Sequence, residues 1–141
     1  LNGKFIFCAI LQPEENKKVK PAWQILVVDD EPSICKILKM LLEKDGHKVQ
    51  TANSGGEALV LLEQDDFDLV TTDFSMLGMK GDTLAATIKQ HRPKLPVLMI
   101  SANAVIAKSF GNPLFGVDLV ISKPFVVEEL REAIDKLLPG I

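Results

Sequence analysis

The sequence predicts an α/β fold: an open, doubly wound parallel sheet with helices on both faces. Two observations carry this. Short apolar runs, Ile25–Val28, Leu69–Thr72, Pro96–Ile100 and Asp118–Ile121, have the length and β-branched character of strands covered on both sides. Between and after them lie segments with apolar residues at helical spacing, so strand and helix alternate five times once the short strand at His47–Ala52 is included. Such alternation argues for βαβ units joined by right-handed crossovers.

Taken in order, Ile25-Leu-Val-Val28 is the first strand, and Pro32 suits the first turn of the helix after it. Ile34, Ile37, Leu38, Leu41 and Leu42 form that helix's apolar stripe, and Gly46 stops it. Cys35 reads as a small, partly buried side chain, and His47 as a loop or strand-edge residue. Ser54-Gly-Gly-Glu57 reads as a capping box opening a second helix, which buries Ala58, Leu59, Leu61 and Leu62. The acids Asp65, Asp66 and Asp68 read as a solvated loop. Asp82 to His91 fits a third helix with Leu84, Ala85 and Ile88 inward. A fourth should begin near Ala104 and break early at Gly111-Asn-Pro113. The last helix, Glu128 to Leu138, buries Leu130, Ile134, Leu137 and Leu138.

Composition sets outer bounds. The 141 residues fit one domain, with 47% hydrophobic and 25% charged residues, ordinary for a globular chain. A net charge of −3 without Lys/Arg clusters gives no nucleic-acid face. Phe5 to Leu11 is too short to span a bilayer and lacks a following small-residue cleavage pattern, so no membrane association is expected. Cys8 and Cys35 have no metal or redox spacing, which makes a reducing cytoplasm the default location. Residues 1–23, with the polar, proline-closed run Pro13–Pro21, read as a poorly packed extension or linker before a domain over 24–141. The chain opens on Leu1, which suggests a piece of something longer.

The chemistry lies in the residues at the end of each strand. In a parallel sheet the carboxyl ends of all strands share one edge, where ligands of open α/β sheets bind. The first strand ends in Asp29 and Asp30, the third in Asp73, the fourth in Ser101 and the fifth in Lys123. Each has a plain alternative: the aspartates can cap helices or loops, the serine can be a turn residue and the lysine a surface charge. Together they form an acid pair, a third acid, a hydroxyl and an amine at one edge. Three carboxylates repel unless a cation sits among them, and oxygen ligands of this kind suit Mg2+. The cation and Lys123 would attract a phosphoryl group, Ser101 would hydrogen-bond it, and Asp73 would be the nucleophile that forms an acyl phosphate.

On these residues the chain resembles the receiver domains of bacterial two-component response regulators. The matching pieces are Ile25-Leu-Val-Val-Asp-Asp-Glu31, Asp73 with Met76 and Gly81, Ser101-Ala102 and Lys123-Pro124-Phe125, and the resemblance spans about Gln24 to Leu138. It implies a flavodoxin-like (βα)5 fold with strand order 2-1-3-4-5. It also implies that Asp73 is the phosphoacceptor. Asp30, Asp73 and the Ser75 backbone carbonyl would bind Mg2+ directly and Asp29 through water. Ser101 and Lys123 would engage the phosphoryl group, and the Lys123–Pro124 bond would be cis. A sensor histidine kinase or phosphotransfer protein would be the donor. The domain would assist its own phosphorylation and dephosphorylation rather than act as an enzyme on other substrates. The resemblance also admits homodimerisation through the face of the fourth helix, fifth strand and last helix. Ser75 and Asn103 fall where the family tunes phosphate lifetime.

Two departures stand out. Leu77 occupies the position after the loop methionine where the family usually has proline, so the loop should be less rigid. Val120 replaces the family's aromatic switch residue of the fifth strand, so Ser101 has no ring to couple to. With the early break at Gly111–Pro113, this suggests intact phosphorylation with an unusual readout. Two other readings are a degenerate receiver serving only as an interaction module, and a hydrolase with an aspartyl-phosphate intermediate. The intact Asp29, Asp30, Asp73, Ser101 and Lys123 speak against the first, and the absence of a carboxylate acid at Phe74 or Ser75 against the second. A stand-alone regulator, part of a transcription factor and part of a hybrid kinase all remain open from sequence.

Overall fold

The computed structural model describes residues 21–102 and 115–139. Five parallel strands form one sheet in the order β2-β1-β3-β4-β5, as expected. They are β1 (Gln24–Val28), β2 (Lys48–Ala52), β3 (Leu69–Thr72), β4 (Val97–Ser101) and β5 (Leu119–Ser122). The helices described are α1 (Pro32–Lys44), α2 (Gly55–Gln64), α3 (Gly81–His91) and α4 (Val127–Leu137). The helix expected from Ala104, with its break at Gly111–Pro113, lies outside the described residues, as do residues 1–20. Among the described residues no helix is long and apolar enough to cross a membrane.

The strand residues alternate between two cores, as the period-2 pleat requires. Leu26, Val28, Val70, Val97 and Met99 face α2 and α3, meeting Ala58, Leu62, Leu84, Ala85 and Ile88. Ile25, Val27, Leu69, Leu98 and Ile100 face α1 and α4, meeting Cys35, Leu38, Leu42, Leu130, Ala133 and Ile134. Burial on both faces explains why these strands read as unbroken apolar runs. The α1 stripe is narrower than its sequence suggested. Cys35, Leu38 and Leu42 are buried, whereas Ile37 is 51% exposed. The helix turns the Cys35, Leu38 and Leu42 side toward the sheet, which leaves Ile37 outward. In α2 the close-packed residues are Gly55, Ala58 and Leu62, with Leu59 and Leu61 only half-buried. In α4, Ala133 joins Leu130 and Ile134, while Leu137 and Leu138 lie half-buried at the edge.

The α2 cap is shifted from a simple capping box. Ser54 Oγ accepts from the Glu57 N–H at 3.0 Å, but the Glu57 carboxylate accepts from the Asn53 N–H at 2.9 Å. At the opposite end of the chain's first strand, Trp23 is tied into the domain rather than left with the extension. Its carbonyl accepts from the Lys48 N–H, its own N–H donates to His47 Nδ1, and its ring packs on the α1/α4 core.

Two acids pin the amino edge of the sheet by the same device. Asp68, just before β3, donates its N–H to the Gln24 carbonyl at 2.7 Å and accepts the Gln24 N–H on its carboxylate at 2.8 Å. Asp118, just before β5, makes the same pair of bonds with Val97, at 2.9 and 2.8 Å. Lys89 of α3 adds an ion pair to Asp118 at 2.7 Å. Asp68 is therefore a strand-register residue and not a solvated loop acid.

Gly81 joins the core to the carboxyl edge. It opens α3, and its N–H donates to the Phe74 carbonyl at 2.9 Å, closing the loop after Asp73. A Cβ on Gly81 would run into the Asp73 carbonyl oxygen and press on Phe74 Cα. Gly81→Ala is thus expected to lower stability by about 1–3 kcal/mol, because the obstruction is backbone that cannot swing aside. Urea unfolding of the variant against the parent measures this.

Candidate functional site

Three residues at the carboxyl edge are each held by one hydrogen bond beyond the end of their strand. The Asp29 N–H donates to the Ala52 carbonyl at 3.1 Å, Asp73 N–H to Val28 at 3.2 Å and Lys123 N–H to Ser101 at 3.0 Å. Neighbouring strands therefore fix the backbone of Asp29, Asp73 and Lys123 before any side chain interacts. Ser101 is the last residue of β4 and fully buried.

The side chains converge as the strand-end alignment predicts. One carboxylate oxygen from each of Asp29, Asp30 and Asp73 lies within 4.8 Å of the others. Asp29 and Asp73 are buried and Asp30 is half-exposed. Lys123 Nζ reaches Asp29 Oδ2 at 3.0 Å and Asp73 Oδ1 at 3.9 Å, so its tighter contact is with Asp29. Asp29 Oδ1 accepts the Glu31 N–H at 3.0 Å, and Asp73 Oδ1 accepts the Phe74 N–H at 2.9 Å. The Ser101 hydroxyl lies close enough to the Asp73 carboxylate to favour its ionised form. The Lys123–Pro124 peptide is cis, as the resemblance implied. Ser75 sits half-buried in the turn after Asp73, and Val120 is half-buried against the α2/α3 core. Asn103 lies outside the described residues.

Three supporting groups carry no mark in the sequence reading. Asn53, at the end of β2, donates its side-chain amide to the Asp29 carbonyl at 3.0 Å. The Cys35 thiol donates to the same carbonyl at 3.3 Å. The Leu77 N–H donates to Asp30 Oδ2 at 3.1 Å. Asn53 is within reach of the strand-end argument, extended to the end of β2. A thiol one turn into a helix and a main-chain N–H leave no such signal. Burial raises the Cys35 pKa and Asp29 adds to the rise, so the thiol stays protonated as a donor.

Burial is also the main influence on Asp73 and raises its pKa above the ordinary carboxylate value. Lys123 opposes this, the Asp29 charge reinforces it, and bonds from the Phe74 N–H and Ser101 hydroxyl oppose it again. The net rise means that the ionised acid is held at a cost in the metal-free protein. All the clustered donors are carboxylate oxygens, a set that fits a hard divalent cation such as Mg2+ and not a thiophilic metal.

Residues 25–135 match the response regulator receiver domain family, and the chain belongs to it. It is 39% identical over 125 residues to the chemotaxis protein CheY-3 of Vibrio cholerae, covering 86% of this chain and 93% of that protein. It is 37% identical over 119 residues to the transcriptional regulatory protein GlrR of Escherichia coli, covering 84% of this chain but 27% of GlrR. Among solved structures, TrrA of Thermotoga maritima, determined in complex with Mg2+-BeF, superposes with a TM-score of 0.76 at 33% identity. That match covers 82% of this chain and 99% of TrrA. The chain is thus a two-component signalling domain, similar both to a short chemotaxis protein and to the receiver portion of much longer regulators.

The raised Asp73 pKa gives a signed expectation. Below the unfolded carboxylate pKa of about 3.9, Asp73 is protonated in both states and costs nothing. As pH rises through the higher folded value the unfolded state ionises more readily, and stability is lost. Metal-free Asp73→Asn should therefore melt above the parent at pH 7, with the advantage vanishing as pH falls below about 4. Calorimetry in chelator from about pH 3 to about pH 8, spanning the carboxylate range, tests this.

Proposed function

We propose that this domain accepts a phosphoryl group on Asp73 from the phosphohistidine of a sensor kinase or phosphotransfer protein. The observation that carries the reading is the convergence of Asp29, Asp30 and Asp73 with Ser101 and Lys123 at one sheet edge. One Asp73 carboxylate oxygen attacks phosphorus. The phosphorus–nitrogen bond of the donor breaks, its electron pair returns to the imidazole, and an acyl phosphate forms. Asp30, Asp73 and the Ser75 carbonyl would hold Mg2+ directly, with Asp29 through water. The cation, when bound, offsets charge on the phosphoryl oxygens during transfer.

The chain's own groups do the rest. Strand pairing fixes Asp73, and the Phe74 N–H orients its carboxylate. Lys123, resting nearer Asp29, has its ammonium within 3.9 Å of Asp73 and can follow the added charge. The Ser101 hydroxyl, beside the Asp73 carboxylate, can donate a hydrogen bond to a phosphoryl oxygen. The added charge of about −1.5 to −2 then biases the surface around β5. With Val120 in place of an aromatic switch, that response would travel through Ser101 and Lys123 without a ring rotation. Self-association through this surface, action as a phosphoacceptor rather than an enzyme on other substrates, and a cytoplasmic location belong to the same reading.

Incubation with acetyl phosphate and Mg2+ should add one phosphoryl group by intact mass. The adduct should vanish in Asp73→Asn and on chelation. A folded protein that forms neither the adduct nor a beryllofluoride complex would instead be an interaction-only receiver.

A further inference from the structure

The hydrogen bond from the Leu77 N–H to Asp30 Oδ2, 3.1 Å long, joins the acidic loop after β1 to the loop after β3 across 47 sequence positions. Asp30 is the half-exposed member of the acidic cluster and lies outside the strand. An acid on such a loop has two side-chain torsions to fix before it can present an oxygen alongside those of Asp29 and Asp73. The Leu77 side chain plays no part in this, since the residue is 85% exposed. What places its amide is the chain on either side. Met76 is buried in the α2/α3 core, and Gly78 turns the chain immediately afterwards with φ +76°. Below that turn the Gly81 N–H closes the loop onto Phe74.

We propose that the Leu77 amide is a positioning group for divalent-cation binding, holding the Asp30 carboxylate in its ligating orientation. The proposal rests on the Mg2+ reading of the acidic cluster and adds to it a group that touches no metal. A carboxylate has about four lone-pair sites, so one N–H bond leaves room for a cation while removing torsional freedom. Groups that orient ligands in this way commonly decide a substantial part of metal affinity. In this chain the bond needs a backbone donor at position 77, which every residue except proline supplies. The expectation of a looser loop from a missing proline is thereby offset: what the leucine loses in backbone restriction it returns as a hydrogen bond to the site.

The test compares the parent, Leu77→Ala and Leu77→Pro by calorimetric titration with Mg2+ alone, alongside amide exchange of Leu77 in the metal-free parent. Leu77→Ala should bind within about twofold of the parent and Leu77→Pro about three- to tenfold more weakly, as loss of one ordinary, solvent-exposed hydrogen bond implies. The Leu77 amide should be protected from exchange in the parent before any metal is added, a readout independent of how the proline variant folds. Equal affinity in Leu77→Pro, or an unprotected Leu77 amide, overturns the proposal. If the parent itself takes up no Mg2+, the metal reading falls and the positioning role with it. That result is distinct from a parent that binds normally beside a proline variant that binds equally well.

Discussion

The site depends on electrostatic crowding. Three carboxylates are brought within 4.8 Å at an edge where two of them are buried, and one lysine ammonium answers them. Such an arrangement is held only if the backbone gives the acids no means of moving apart. The hydrogen bonds beyond the strand ends supply that restraint, since Asp29, Asp73 and Lys123 each donate their N–H to a neighbouring strand. The charge imbalance is thus imposed by the sheet, at a place where a divalent cation would offset it.

The two sheet edges use acids in opposite ways. At the amino edge, Asp68 and Asp118 are satisfied by strand N–H groups, and Asp118 also by Lys89. Their charges are consumed in fixing register. At the carboxyl edge the acids are instead drawn together, with one oxygen of each of Asp29, Asp30 and Asp73 within 4.8 Å of the others, a set that suits a shared cation. Asp68 and Asp73 flank the same short strand, so only the end that each occupies separates the two roles in the sequence.

Much of the fold is legible in the sequence because the strands are buried on both faces and therefore lack the alternation that would make them ambiguous with surface segments. The site is legible for a related reason: a parallel sheet gathers all strand ends on one side, so Asp29, Asp30, Asp73, Ser101 and Lys123 can be placed together without any measured distance. Less is legible where a contact depends on rotation about an axis or on main-chain atoms. Helical spacing admits Ile37 to the α1 stripe because it tolerates a turn of the stripe in either direction, and the structure turns it toward Cys35, Leu38 and Leu42. The role of Leu77 is invisible because its N–H carries no residue-specific mark, and its identity suggests only an absent proline. Asp68 passes for solvent-facing charge because a lone acid in an acidic stretch looks the same until its strand partner is known.

The staples at the amino edge bear on how such a domain is connected to others. Trp23 enters β1 at that edge, where its carbonyl pairs with Lys48, while the carboxylates open on the other side. A segment joined directly at Trp23 starts at the amino edge, a full strand length from Asp29. An attachment at this end therefore begins on the opposite side of the sheet from the acidic cluster.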